Sequence, residues 1–168
     1  MLTLQVFNRI VLEAQVSGEA LAMRFGITPT IEQQRAIMML EVHELDVATD
    51  TDNRLEEAID VAVTLGNWVK LNGWNIPQLS PSEKSVVVDD LTPLEMEDIV
   101  FNLATINHRE LVRVAYLSLY ACMSKHCGDG DIDGRAIAWL KHVKRKNAAK
   151  TLLTHEVNAA GKIVKKGN

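Results

Sequence analysis

The sequence predicts an all-α fold: an antiparallel helical bundle of about five to six helices with a short basic C-terminal tail. Three observations predict it. Hydrophobic residues make up 47% of the chain and aromatics only 5%, so Leu, Ala, Val, Ile and Met carry the core, which suits helix packing better than a β-sandwich. Apolar residues recur at three- and four-residue intervals over most of the chain. Capping signals precede nearly every such stretch. A length of 168 residues is that of one domain. Its parts are a helical region 1–73, a linker 74–91, further helices over 92–153 and a tail 154–168.

The first helix is expected from about Leu4 to Phe25, with a stripe of Val6, Ile10, Leu12, Val16 and Leu21 and a stop near Gly26. Thr30-Ile31-Glu32-Gln33 reads as a capping box that opens a second helix running to about Val47. The apolar stripe of that helix is read as Ile31, Ala36, Met39, Leu40 and Leu45. A turn at residues 50–53 follows. Asn53 is read as the next N-cap with Glu56 at N3, and the third helix ends near Leu71-Asn72-Gly73. So short a connection makes the second and third helices an antiparallel hairpin.

Pro77, Pro81 and a short apolar run Val86-Val87-Val88 mark the linker. Thr92-Pro93-Leu94-Glu95 combines a cap, Pro at N1 and Glu at N3, a strong start for a fourth helix that reaches about Ile106. Asn107 with Glu110 starts a fifth, to about Lys125. After the loop Gly128–Gly134, a sixth is expected from about Arg135 to Leu153, and the remainder is loop or a small hairpin.

Charge is unevenly distributed. Residues 1–134 carry 9 Lys/Arg against 21 Asp/Glu, a net −12, whereas residues 135–168 carry 9 against one acid, Glu156, a net +8. A basic tail on an acidic body can bind nucleic acid, or it can close over a polyanionic ligand held at the acidic region. The tail lacks interleaved aromatics on which bases would stack, so nucleic acid is the weaker expectation. Cys122 and Cys127 match neither a zinc pair nor a redox motif and are read as buried thiols in a reducing cytoplasm. No signal peptide is evident, and charges interrupt every apolar run before 18 residues, so no membrane span is expected.

Two acid pairs carry the chemistry. Glu41 and Glu44 lie late on the second helix, and Glu57 and Asp60 lie in the first turns of the third. Positions i and i+3 share a helix face, so each pair points one way, and the hairpin brings the pairs level. Their neighbours are Met38, Met39 and Leu40 on one side and Ile59, Val61, Ala62 and Val63 on the other, not a Lys/Glu-rich outer face. Four converging carboxylates repel one another unless cations intervene, and all-oxygen ligation suits Mg²⁺, with Mn²⁺ able to substitute.

Di-iron carboxylate bundles need Glu-x-x-His, and no His here follows a Glu by three residues. His43 points about 100° away from the acids and is read as a surface or supporting residue. Asp129–Gly134 imitates the start of a calcium loop but has Leu140 where the bidentate Glu belongs. No phosphate-binding glycine loop is present, so phosphate contacts must come from metal ions and basic side chains. Lys144, Arg145, Lys146 and Lys150 supply these first, then Lys162, Lys165 and Lys166.

The order Glu41-x-x-Glu44, then Glu57-x-x-Asp60, resembles the signature of the MazG-like all-α nucleoside triphosphate pyrophosphatases, relatives of phosphoribosyl-ATP pyrophosphohydrolase and the dimeric dUTPases. Leu40–Leu45 looks like the family's helix-two motif and Glu56–Val61 like its helix-three motif. Val143-x-x-x-Asn147-x-x-Lys150 and Gly161-Lys162-Ile163-Val164-Lys165-x-Gly167 are similar to the tail of a phage and bacterial subgroup. Val6-Phe7-Asn8-Arg9 is similar to that subgroup's aromatic N-terminal helix, where His often stands at the position of Asn8.

The resemblance implies a MazG-like bundle and Mg²⁺ held by Glu41, Glu44, Glu57 and Asp60, which are also the catalytic residues. It implies cleavage between the α and β phosphates of a (d)NTP such as dGTP or dUTP, giving a monophosphate and pyrophosphate. Asn147, Lys150, Lys162, Lys165 and Asn8 would bind substrate, with the base stacked on Phe7, Trp68, Trp74 or Trp139. It further implies a homodimer or homotetramer in the cytoplasm, that of the host if the protein is phage-encoded. The alternative, from the charge pattern alone, is a non-catalytic helical interaction module whose basic tail binds nucleic acid or a protein partner.

Overall fold

The computed structural model describes residues 1–82 and 94–167. Among these the fold is all-α: six α-helices and one two-stranded hairpin. Helix α1 spans Leu4–Phe25, α2 Ile31–Val47 and α3 Thr51–Leu71. Helix α4 spans Met96–Ala104 and α5 Arg109–Ala121, continued by a π-helical turn Cys122–His126. Helix α6 spans Ile132–Ala149, and strands β1 His155–Val157 and β2 Ile163–Lys165 pair antiparallel.

Helix α3 is the centre of the bundle. Eleven of its 21 residues are buried, because it packs against α1, α2 and α6 at once. A helix covered on several sides needs small residues where a neighbour comes closest. A Cβ on Gly66 would lie 2.9 Å from the Gln15 side chain of α1, and one on Gly18 would lie 2.7 Å from Val63 of α3. The two glycines, one on each helix, set the distance between α1 and α3.

The observed starts and stops refine the expected ones. The Thr30–Gln33 capping box is present, and α1 ends where the Gly26 N–H bonds back to Ala22 and Met23. The cap of helix α3 lies three residues before Asn53, because the Asp50 carboxylate accepts from the Asn53 N–H at 2.8 Å, and the helix begins at Thr51. Helix α4 is capped by Glu95, reciprocally with Asp98, so Glu95 stands at its cap and not at N3; Thr92, Pro93 and the Val86–Val88 run lie outside the described residues. His108, not Asn107, precedes α5.

Helix α6 starts earlier than expected because Asp131 caps it through Gly134 N–H at 3.0 Å, which spends the calcium-like loop on a helix start. It also stops earlier, at Ala149. There the Arg24 guanidinium takes the carbonyls of Asn147, Ala148 and Lys150 at 3.0, 3.3 and 3.0 Å, satisfying the orphan acceptors of its last turn.

The stripes read on α1 and α2 are also corrected. Buried on α1 are Phe7, Ile10, Val11, Ala14, Gln15 and Gly18, while Leu12 and Val16 are exposed. Buried on α2 are Gln34, Met38, Glu41, Val42 and Leu45, while Ile31, Ala36 and Leu40 face outward. Both cysteines are buried and free, as expected. No described helix is long and apolar enough to cross a membrane.

Asn8 fastens the segment after α3 to α1. Its Nδ2 donates to the Leu79 carbonyl at 2.9 Å and its Oδ1 accepts from the Leu79 N–H at 3.0 Å. Both arms of the amide are thereby committed to backbone. Asn8→Ala should destabilise the fold by about 1–3 kcal/mol, the cost of stranding part-buried backbone groups. A urea midpoint equal to that of the parent protein would show that the clamp contributes nothing.

Candidate functional site

The three-residue link 48–50 sets the end of α2 beside the start of α3. Carboxylate oxygens of Glu41, Glu44 and Glu57 come within 4.8 Å of one another there. Glu41 is buried, Glu57 half-buried and Glu44 exposed, so the cluster runs from the interior to the surface. Such an all-oxygen trio could hold a hard divalent ion such as Mg²⁺. Asp60, one turn on from Glu57, is turned to a different partner: its Oδ2 accepts from Lys146 Nζ at 2.6 Å.

The C-terminal segment supplies the positive charge. From α6, Lys146 bridges Asp60 and Glu56, the latter at 2.9 Å. From the hairpin, Lys162 Nζ lies 3.0 Å from Glu41 and 3.7 Å from Glu44. Two ammonium groups therefore stand against the carboxylates that would otherwise repel one another. Lys146 and Lys162 thus pair the basic C-terminal region with acids of the body.

Protonation follows from this packing. Burial, reinforced by Asp60, Glu44 and Glu41, pushes the Glu57 carboxyl up to about 7. Burial also raises Glu41 and outweighs the opposing pull of Lys162. For Lys146, burial favours the neutral amine, but Asp60 and Glu56 more than reverse this and raise it. Lys162 is raised in the same way by Glu41 and Glu44. Lys150 goes the other way: burial and then the neighbouring Lys146 lower it. Among the described residues no carboxylate lies within salt-bridge distance of Lys150, which leaves its ammonium for an incoming anion.

A cleft of about 120 Å³ joins these groups, with Glu41, Asp60, Asn67, Asn147, Lys150 and Lys162 in its wall. Of the residues expected at the site, the structure thus assembles the four acids with Asn147, Lys150 and Lys162. Asn147 is buried, with Nδ2 3.4 Å from Ser17 Oγ. Two expected residues stand elsewhere. Asn8 is spent on Leu79, and Lys165 is exposed on β2 and absent from the cleft wall.

Among the described residues no aromatic lines the cleft either. Phe7 is buried against Tyr120, Trp68 is buried edge-on to Trp74, and Trp139 packs against His142. His43 is exposed, as expected. Sequence reading assigns no site role to Glu56, which it names as a cap partner and as the start of the helix-three motif, or to Asn67. The available signal was helical spacing from Asp60, since Glu56 and Asn67 lie four residues before it and seven after it.

Comparison with family models, with curated proteins and with solved structures gives no match.

A carboxyl raised on folding holds a proton that the unfolded chain releases. The stability Glu57 contributes is complete below about pH 4.5 and is lost as pH rises through about 7. Metal-free protein should therefore lose melting temperature across that window, and Glu57→Gln should flatten the decline. A pH profile unaltered by that substitution would place the titration elsewhere.

Proposed function

We propose that the protein is a Mg²⁺-dependent nucleoside triphosphate pyrophosphohydrolase of the MazG-like kind, converting a (d)NTP and water into the (d)NMP and pyrophosphate. The observation that carries this reading is the meeting of Glu41, Glu44 and Glu57 within 4.8 Å, at the edge of a cleft that Glu41 shares with Asp60, Lys150 and Lys162. The acid trio matches the needs of a hard cation, and the lysines match those of a polyphosphate. The order of the acid pairs supports the family assignment, and the tail similarity supports a deoxynucleotide such as dGTP or dUTP as substrate.

Glu41, Glu44 and Glu57 would hold the ion, with Asp60 joining them once Lys146 is drawn to phosphate. Bound there, Mg²⁺ would offset charge on the triphosphate oxygens and make water more acidic. The water oxygen attacks the α-phosphorus in line, the bond to the bridging oxygen breaks, and pyrophosphate departs. Glu41 or Glu44 accepts the proton from the water. Lys150, Lys146 and Lys162 neutralise the leaving pyrophosphate, and Asn147 positions the phosphate chain.

We also propose a homodimer or homotetramer, because Leu12, Val16 and Met23 leave an exposed apolar stripe along α1. A sedimentation mass above 18.7 kDa would agree with that, and a monomer at working concentration would not.

The lysines at the acid cluster favour an enzyme over a module that offers its tail to a partner. Incubation with each common nucleoside triphosphate should yield monophosphate and pyrophosphate; release of orthophosphate with a diphosphate would refute attack at the α position. Glu44→Gln and Asp60→Asn should each lower kcat by more than the roughly 10–100-fold that supporting residues around a metal cost, with helicity intact. Mg²⁺ or Mn²⁺ should raise the melting temperature of the parent protein and do so less in Glu44→Gln. A melting temperature indifferent to both ions would favour the interaction module.

A further inference from the structure

Two cavities meet at Asn67. One is the cleft of about 120 Å³ that contains Glu41, Asp60, Lys150 and Lys162. The other, of about 310 Å³, has Met23, Ile27, Pro29 and Leu71 in its wall and is mainly apolar. Asn67 lines both, as do Gln34 and Pro29. A volume of that size is at the lower end of small-molecule pockets.

The amides at this junction differ in what they are free to do. Gln34 Nε2 is committed to the Thr64 carbonyl at 3.1 Å, and Gln15 Nε2 to Glu19 at 3.0 Å. Among the described residues the Asn67 amide has no hydrogen-bond partner. Its position is set by the facing helix: a Cβ on Gly18 would lie 2.7 Å from Asn67 Nδ2. Any larger residue at position 18 would push the amide aside.

Asp60 and Asn67 are seven residues apart on α3, two turns along one face, a rise of about 10 Å. One end of this face offers carboxylates and cations for a polyphosphate. The other offers an unpaired donor and acceptor beside an apolar chamber. A nucleotide has that polarity, with charge at one end and a flat ring with a hydrogen-bonding edge at the other.

Resting on the pyrophosphohydrolase reading, we infer that Asn67 is the residue that selects the nucleobase, pairing its Oδ1 and Nδ2 with an adjacent donor and acceptor on the base edge, and that Gly18 keeps the room for it. One orientation of the amide matches a keto edge and the flipped one an amino edge, so the orientation adopted with the bound base would separate uracil from cytosine and guanine from adenine.

The test is kcat/KM for the common nucleoside triphosphates and for an abasic deoxyribose triphosphate, in the parent protein, Asn67→Ala and Asn67→Asp. In Asn67→Ala the ratio between the best and worst base should shrink by about tenfold to a hundredfold, the discrimination of one bidentate pair. The abasic triphosphate, which gives the amide nothing to bind, should fall far less than the best substrate. Asn67→Asp, which lacks the amide donors, should reorder the preferred bases.

Two results would overturn the inference: an unchanged base ratio in both variants, or an abasic rate that falls as much as that of the best base, which marks a merely structural residue. If the parent protein hydrolyses no triphosphate, the pyrophosphohydrolase reading fails and takes the inference with it. That outcome is distinct from an active enzyme whose base preference ignores position 67. Should Ala prove unstable at this half-buried position, Asn67→Ser gives the same ratio measurement.

Discussion

Carboxylates forced together at the α2–α3 junction need positive charge, and much of the chain's layout answers that need. Glu41, Glu44 and Glu57 share a space under 5 Å across. Ionised and unpaired, they would work against the packing of the two helices that carry them. Lys162 and Lys146 relieve this by reaching in from elements that lie far along the chain. The −12 body and the +8 C-terminal region are therefore two halves of one electrostatic arrangement.

That arrangement depends on backbone geometry settled elsewhere. The three-residue link makes the acids level, and Asp50 fixes where α3 begins, and with it the rotation that points Glu57 toward Glu41 and Glu44 of α2. On the other side of α3, Gly18 and Gly66 let α1 approach closely enough to wall the cleft. Arg24 then ends α6 and turns the chain, so that Lys150 and the hairpin that bears Lys162 come back across the acids. Local chemistry at three helix ends thus decides whether distant charges meet.

The helical class, the capping box at Thr30, the α2–α3 hairpin and the level acid pairs were all legible in the sequence, because each rests on contacts within a few residues. The buried faces of α1 and α2 were not. On α2 the face turned inward includes Gln34 and Glu41, so an apolar stripe drawn through Ile31, Ala36 and Leu40 follows the wrong side. A helix that builds a polar site spends inward positions on polar residues, and apolar periodicity fails there for that reason. Asn8 was misplaced because its partner is a backbone group 71 residues away, which no spacing rule reveals. Lys146 could be named as a basic side chain, but its pairing with Asp60 depends on how α6 crosses α3.

The lysines also bear on the order of events at such a site. On the proposed function, a divalent ion entering the trio would compete with Lys162 for Glu41 and Glu44, so its net affinity would be what remains after an internal ion pair is given up. The displaced ammonium would not become a stranded buried charge, because Lys162 and Lys150 line the same cleft and a triphosphate there would bring anionic oxygens to both. Ion and polyphosphate should therefore bind with mutual assistance: the ion frees the lysine, and the phosphate gives it a new partner. Thermodynamic reciprocity then requires each to tighten the other by the same factor, a coupling that arises because the cations of the resting site and those of the loaded site are in part the same side chains.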